Sequence, residues 1–345
     1  MKMVLEITAS GTVIRLFSNG IEIANPRLKM IERYYFDEIS ELRIHHGVFI
    51  DSEVLSKLSS KGIPILILDI TGLKAFISSP KMELSKILIR MKQFEALNNL
   101  KGVILAKFFA LCSIETKEEF LLFLARNRKK YADDKAKRLE EAAREIALYK
   151  EQARKLLGIL DEIRPRLMSI EANASRIYFS ALRHVIPKEY GYKGRQSIRK
   201  PRDVINTMIN CGNAIIRGII LRECIKSKLD PGIGFLHKIV NRRFSLVMDL
   251  AEEFLVPISH RAVVNLAVRY DIKEEDYYVE NDTVRLTNSG KGKLLREIYS
   301  ILEKRHRTKQ ITVEQAIINR IQSIIDLLLD RKKEPKRYRI ISCWR

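Results

Sequence analysis

The residues best suited to chemistry lie in one stretch, LDPGIGFLHKIVNRRFSLVMDLAEEF, from Leu229 to Phe254. It opens with Asp-Pro-Gly and a second glycine, Gly234, which signals a turn. His237 follows, and then a helical-looking run carrying Asp249, Glu252 and Glu253. Imidazole and carboxylate are ligands for a divalent ion; together they suit Mn²⁺ and tolerate Mg²⁺. Asp249 and Glu252 are spaced i, i+3 on a helix, with Glu253 at i+4, so the three lie close together. Arg242 and Arg243 stand between the histidine and the carboxylates, as a phosphate-bearing substrate would require. We read this stretch as half of a metal site acting on nucleic acid, with Glu171 expected to supply the other half. Taken singly each signal is weak. A lone histidine at the end of an apolar patch also reads as structural, and acidic residues on a helix also read as a solvated face. Glu171, beside the stripe Ile170, Ala174, Ile177 and Leu182, reads on its own segment as a solvated glutamate.

Phosphodiester chemistry fits such a donor set. A divalent ion polarises a phosphoryl oxygen and helps deprotonate the attacking hydroxyl or water. Two carboxylates and one imidazole leave coordination positions open for both. Other chemistries fit worse. The chain has no GxSxG elbow, no HExxH and no CxxC pair, and its six histidines are not spaced as a zinc cluster. Gly290-Lys-Gly-Lys lacks the spacing of a phosphate-binding loop.

Charge points to the same substrate class. The 345 residues carry 63 Lys plus Arg against 42 Asp plus Glu, a formal net charge of +21. Such an excess favours a polyanion: DNA, RNA or an anionic membrane surface. The loop EYGYKGRQSIRKPRDVIN concentrates Arg195, Arg199, Lys200 and Arg202 beside tyrosines, a mixture that can grip a strand by phosphate contacts and base stacking. The clusters Arg126–Lys130, Arg331–Lys333 and Lys336–Arg339 are further candidates, each equally readable as a solvated face. No apolar run is long enough to suggest a membrane span, and MKMVLEITASGTVIRLF reads as strand rather than as a signal core. Cys112, Cys211, Cys224 and Cys343 read as reduced, mostly buried thiols, which points to the cytoplasm.

These residues need a scaffold, and the patterning predicts an α+β chain. A small β-sheet domain is expected over residues 1–80, closing at Pro80. Val13, Arg15 and Phe17 alternate before Asn19-Gly20, with Ile21 and Ile23 after it, a hairpin signal. SEVLSKLSSKG has helical spacing, and IPILILDI reads as a buried strand. His45 and His46 read as surface or interface residues. From residue 81 to 345 the pattern is helical, predicting a larger all-α catalytic domain with a basic tail.

The order of these motifs resembles the CRISPR-associated spacer-acquisition integrase/endonuclease family, the first-numbered Cas protein (Cas-one), over essentially the whole chain. The N-terminal part of the resemblance includes Gly11, ISELRIHHGVFIDSEVLSKLSSKGIPILILDITG and Pro80. IEANASRIYF resembles the helix bearing the family's first metal ligand, which falls on Glu171. LDPGIGFLH places the second ligand on His237, and SLVMDLAEEF places the third on Glu252, with Asp249 at a nearby acidic position. RKPRDVINTMIN aligns Asp203 and Asn206 with the segment before the central helix, and KRYRIISCW resembles the family's ending. The chain departs from the pattern at Asn213, where a tyrosine is usual, at Leu255, where Phe254 is usually followed by arginine, and at Ser259-His260, where an aspartate is commoner.

The resemblance implies a Mn²⁺- or Mg²⁺-dependent enzyme that inserts short DNA spacers into a CRISPR array by transesterification and also cuts DNA. It implies metal ligation by Glu171, His237 and Glu252, with Asp249 assisting. It implies a homodimer formed through the β-domain, a small ferredoxin-like partner (the second-numbered Cas protein, Cas-two), and spacer and repeat DNA as substrates, with no membrane partner. Arg195, Arg199, Lys200, Arg202, Arg242 and Arg243 are the expected DNA-backbone contacts. Two rival readings stand beside this one: a catalytically silent DNA-binding scaffold, and a general nuclease of branched-DNA repair.

Overall fold

The computed structural model describes residues 3–69, 72–79, 84–306, 310–335 and 341. The expected boundary at Pro80, the tail segment Lys336–Arg339 and Cys343 lie outside them. The chain divides into two compact units, Met1–Leu84 and Ser85–Arg345.

The first unit holds β1 (Met3–Ile7), β2 (Val13–Phe17), β3 (Gly20–Asn25), β4 (Met30–Tyr35), β5 (Ile39–His45), β6 (Phe49–Ile50), helix α1 (Ser52–Ser60), β7 (Ile65–Asp69) and β8 (Gly72–Ile77). They form two four-stranded sheets, ordered β4-β3-β2-β6 and β1-β5-β7-β8. Ile14, Ile21 and Ile23 from one sheet share a core with Leu42, Ile44 and Ile65 from the other and with Val54 and Leu58 of α1. The expected hairpin is present, closed by the Phe17–Gly20 pair, so Ser18 and Asn19 make the turn. Gly20 has another reason to be glycine: a Cβ there would lie 2.1 Å from the Tyr34 carbonyl oxygen on β4. His45 bonds Glu6 through Nε2 at 2.9 Å.

The second unit is mostly helical, but it is not all-α as expected: one two-stranded β-hairpin interrupts it. It runs α2 (Leu84–Ala96), α3 (Leu100–Arg126), α4 (Asp133–Lys155), α5 (Leu160–Ala181), α6 (Val204–Lys226) and α7 (Ser245–Ala251). A π-helical turn (Leu255–His260), α8 (Arg261–Val268), a hairpin β9 (Tyr277–Glu280) and β10 (Thr283–Leu286), α9 (Asn288–Leu302) and α10 (Val313–Leu328) follow. The hairpin turns at Asn281 and Asp282, both with positive φ, the conformation a tight two-residue turn demands. The long α3 packs against α4 and α5. Its burial is nearly all-round, from Leu105 to Ala125, because other elements cover it on several sides. Helix α6 is long and apolar enough to cross a bilayer, but it is mostly buried inside this unit as its central helix.

One buried ion pair ties the end of α7 into this packing. Arg320 on α10 grips Glu253 through Nε–Oε2 at 2.5 Å and Nη2–Oε1 at 2.7 Å. Its guanidinium carbon stands 4.5 Å from the centre of the Phe108 ring on α3. Glu253, one of the acidic residues beside the expected ligands, is therefore structural. Breaking a buried pair strands the remaining charge, at a cost of about 3–5 kcal/mol. We expect urea unfolding to show the helical unit of Glu253→Ala destabilised by that order, and Arg320→Met with Glu253→Leu together to recover much of the loss.

Candidate metal and nucleic-acid site

Two glutamates from distant parts of the chain meet at one hydroxyl. Ser113 on α3 places its Oγ 2.9 Å from Glu171 Oε1 on α5 and 2.7 Å from Glu252 Oε2 at the end of α7. One hydroxyl proton cannot serve both carboxylates fully, so the pair needs a cation. Lys117, one helical turn along α3 from Ser113, supplies it. Its Nζ donates to Ser113 Oγ at 2.5 Å and to Glu171 Oε1 at 2.8 Å, and stands 3.9 Å from Glu252 Oε2. Ser175, one turn along α5 from Glu171, donates to the same Oε1 at 2.7 Å. Burial alone would raise the Glu171 pKa. The Lys117 charge and hydrogen bond, with the Ser175 and Ser113 hydroxyls, outweigh it and hold the value down to about 2. Glu171 is thus an anion throughout the physiological range.

The histidine is set by a different carboxylate. Asp249 is fully buried on α7. Its Oδ2 accepts the backbone N–H groups of Phe235 and Leu236 at 2.5 and 3.0 Å. Its Oδ1 accepts the His237 N–H at 2.8 Å and pairs with His237 Nδ1 at 2.7 Å. Three of these partners are N–H donors, which fits a carboxylate accepting on both oxygens. Nδ1 then carries the ring proton, and Nε2 keeps its lone pair for a metal. Asp249 was expected to assist as a ligand; its oxygens are instead committed to shaping the Phe235–His237 turn and orienting the imidazole. Burial lowers the His237 pKa, but the Asp249 bond and charge and the nearby Glu252 together raise it, against a smaller push from Arg243.

The Asp-Pro-Gly turn is held from several sides. Gln93 on α2, itself fully buried, donates to the Asp230 and Ile233 carbonyls and accepts the Asp230 N–H, all at 2.9 Å. Arg164 on α5 donates to the Phe235 carbonyl at 2.8 Å. Gly234 allows the turn to lie against α7: a Cβ there would sit 2.7 Å from Ser245 and 2.8 Å from the His237 carbonyl oxygen.

Among the described residues, no three His, Cys, Asp or Glu side chains converge closely enough to hold a metal as they stand. Glu171 and Glu252 are together, with His237 close enough to Glu252 to feel its charge, but Lys117 occupies the cation position between the two carboxylates. The donor chemistry fits a divalent ion: two anionic oxygens already gathered, and an imidazole whose free nitrogen is fixed by a buried carboxylate.

The expected DNA contacts divide. Arg199, Lys200, Arg202, Arg242 and Arg243 are exposed. Arg195 is half-buried, donating to Asn206 Oδ1 at 2.9 Å and Asn210 Oδ1 at 2.5 Å, with its guanidinium over Phe179. It anchors the loop to α6 rather than standing free for a phosphate. Asp203 caps α6 by accepting the Asn206 N–H at 2.7 Å. Within Arg126–Lys130, Arg128 is buried and donates to the Leu124 carbonyl. The positions that depart from the family pattern are internal: Asn213, Ser259 and His260 are buried, and among the described residues Asn213 Oδ1, Ser259 Oγ and His260 Nε2 have no hydrogen-bond partner. His260 stacks on Tyr178 and meets its hydroxyl through Nδ1 at 3.2 Å. Sequence reasoning missed Ser113 and Lys117. Glu115, Glu118 and Glu119 stand in the same stretch of α3, so no local signal separates Ser113 and Lys117 from an ordinary charged face.

Comparison with known proteins places the chain. The family described as CRISPR associated protein Cas1 matches residues 5–300. A CRISPR-associated endonuclease Cas1 from Archaeoglobus fulgidus is 28% identical over 328 residues, covering 91% of this chain and 93% of that one. A casposase bound to integration product superposes with a TM-score of 0.74 at 19% identity, over 99% of this chain and 95% of that one. A Cas6-RT-Cas1–Cas2 complex chain superposes with a TM-score of 0.72 at 16% identity, over 96% of this chain and 35% of that one. The match along the chain and the shared fold lead to one conclusion: this protein belongs to the CRISPR-associated Cas1 family.

Proposed function

We propose that Glu171, Glu252 and His237 Nε2 hold a divalent ion, Mn²⁺ or Mg²⁺, in an endonuclease and integrase of CRISPR spacer acquisition. The observation that carries the site assignment is the meeting of Glu171 and Glu252 at Ser113, beside an imidazole whose Nδ1 is tied to Asp249. Membership in a family of endonucleases and likeness to an integration enzyme support the activity.

Bound there, the ion supplies Lewis acidity to a phosphoryl oxygen and acidifies an attacking hydroxyl or water. The chain supplies the rest. Glu171 and Glu252 bring negative charge to one point, and Asp249 keeps the imidazole in one tautomer and orientation. Arg242 and Arg243, exposed on the connector after His237, neutralise DNA phosphates next to the ligands, and Arg199, Lys200 and Arg202 extend that surface. The reaction we assign is attack of a DNA 3′ hydroxyl on a phosphodiester of a repeat, which breaks that bond and releases a new 3′ hydroxyl on the repeat strand, with hydrolysis when water attacks instead. The likeness to a chain of a Cas6-RT-Cas1–Cas2 complex supports a small Cas2 partner, and we assign a homodimer surface to the β-sheet unit.

The silent-scaffold reading has one observation in its favour, the Lys117 ammonium lying between the carboxylates. Joining of a labelled duplex into a repeat-bearing plasmid separates the two. With Mn²⁺ and the small partner present, we expect joining that chelator abolishes and that falls at least 100-fold in Glu171→Ala and His237→Ala, while duplex binding measured without Mn²⁺ stays near wild type; Glu171→Ala also melts lower, because it leaves the buried Lys117 charge without its carboxylate. Binding without joining, indifferent to chelator, would favour the scaffold. Asp249→Asn is expected to weaken Mn²⁺ binding by about 10- to 100-fold, through loss of imidazole orientation; titration calorimetry reads this directly. Removing both Arg242 and Arg243 removes two phosphate contacts. The slope of log K against log[salt] for duplex binding should flatten by about 2, alike for repeat and unrelated sequences.

A further inference from the structure

We infer that Lys117 is an internal competitor for the metal, so that the ion loads strongly only when a DNA phosphate takes over the Lys117 ammonium. The inference rests on the metal assignment above and adds to it a coupling between metal and substrate.

Lys117 is 3% exposed. A buried ammonium is tolerable only when paired and hydrogen-bonded. Here it donates to Ser113 Oγ, to the Ser113 carbonyl and to Glu171 Oε1, with Glu252 Oε2 at 3.9 Å. These carboxylates are the ones an ion would use. An ion drawing on Glu171 and Glu252 takes the charge that stabilises Lys117 and leaves the ammonium facing a like charge. Metal affinity is reduced by that conflict. A group that offers the ammonium another anion relieves it. The anion the site is built to receive is a phosphodiester, guided by the exposed Arg242 and Arg243. Linkage is reciprocal: whatever factor DNA adds to metal affinity, metal adds to DNA affinity. The consequence is a reaction centre poorly loaded in the free protein and well loaded on DNA. A lysine that were only an ordinary buried ion pair would leave metal and DNA binding independent of each other.

Titration calorimetry with Mn²⁺ tests this on the full chain. Wild type, Lys117→Met and Lys117→Arg are each measured alone and saturated with a duplex ending in 3′-dideoxynucleotides, which cannot react. We expect the duplex to tighten Mn²⁺ binding by wild type about tenfold. Lys117→Met should bind Mn²⁺ about tenfold tighter than wild type without DNA, and gain little from the duplex. Lys117→Arg, which keeps the charge, should stay weak without DNA. A parallel melting series covers loss of stability: Mn²⁺ should raise the melting temperature of Lys117→Met more than that of wild type. Equal or weaker Mn²⁺ binding by Lys117→Met, or a variant that Mn²⁺ does not restore, overturns the inference while leaving the metal site intact. Absence of Mn²⁺ binding by wild type, with and without DNA, would instead remove the metal assignment itself.

Discussion

Two carboxylates held at one hydroxyl inside a helical unit repel each other unless positive charge lies between them, and that constraint shapes this protein. Glu171 and Glu252 reach Ser113 from α5 and from the end of α7. Their proximity suits a divalent ion and is costly without a cation. Lys117 meets the cost within the chain, and the low Glu171 pKa is its signature. The same ammonium makes the centre a contest between internal and added cations, so the electrostatics of folding and of catalysis draw on the same atoms.

The surrounding fold fixes those atoms in place. The long α3 carries Ser113 and Lys117 inward because its neighbours cover it almost completely. Asp249 folds the Phe235–His237 segment onto α7 by collecting backbone and imidazole donors. The Glu253–Arg320 pair secures the chain immediately after Glu252. Consecutive glutamates thus serve opposite ends: Glu252 faces the site and Glu253 is locked in the core. Helical geometry demands such a division, because adjacent residues on a helical path point about a quarter-turn apart.

Much of this was legible in the residues. The β-rich start, the mostly helical remainder and the hairpin signalled by Asn19-Gly20 follow from hydrophobic periodicity and turn chemistry, although the turn itself falls one residue earlier, at Ser18 and Asn19. His237, Glu252 and Glu171 came from donor type together with motif order, since Glu171 alone reads as an ordinary surface glutamate. What sequence could not supply is the tertiary assignment of identical side-chain types. Asp249 and Glu252 share a helical path, yet one faces the backbone of a turn and the other a serine on a distant helix. Arg195 and Arg199 belong to one basic loop, yet only the former finds acceptors, in Asn206 and Asn210. Lys117 was invisible for the same reason: within a run of charges and apolar residues, nothing local marks which lysine will be buried beside a carboxylate.

The most direct test of the account is a crystal of the protein bound to a duplex ending in 3′-dideoxynucleotides, soaked with Mn²⁺ and examined by anomalous scattering at the manganese edge. The account predicts one strong peak bounded by Glu171, Glu252 and His237 Nε2, with Asp249 still on His237 Nδ1 and the Lys117 ammonium moved off Glu171. A peak coordinated by Asp249 or Glu253, or manganese bound only elsewhere on the chain with Lys117 still between the two glutamates, would contradict it.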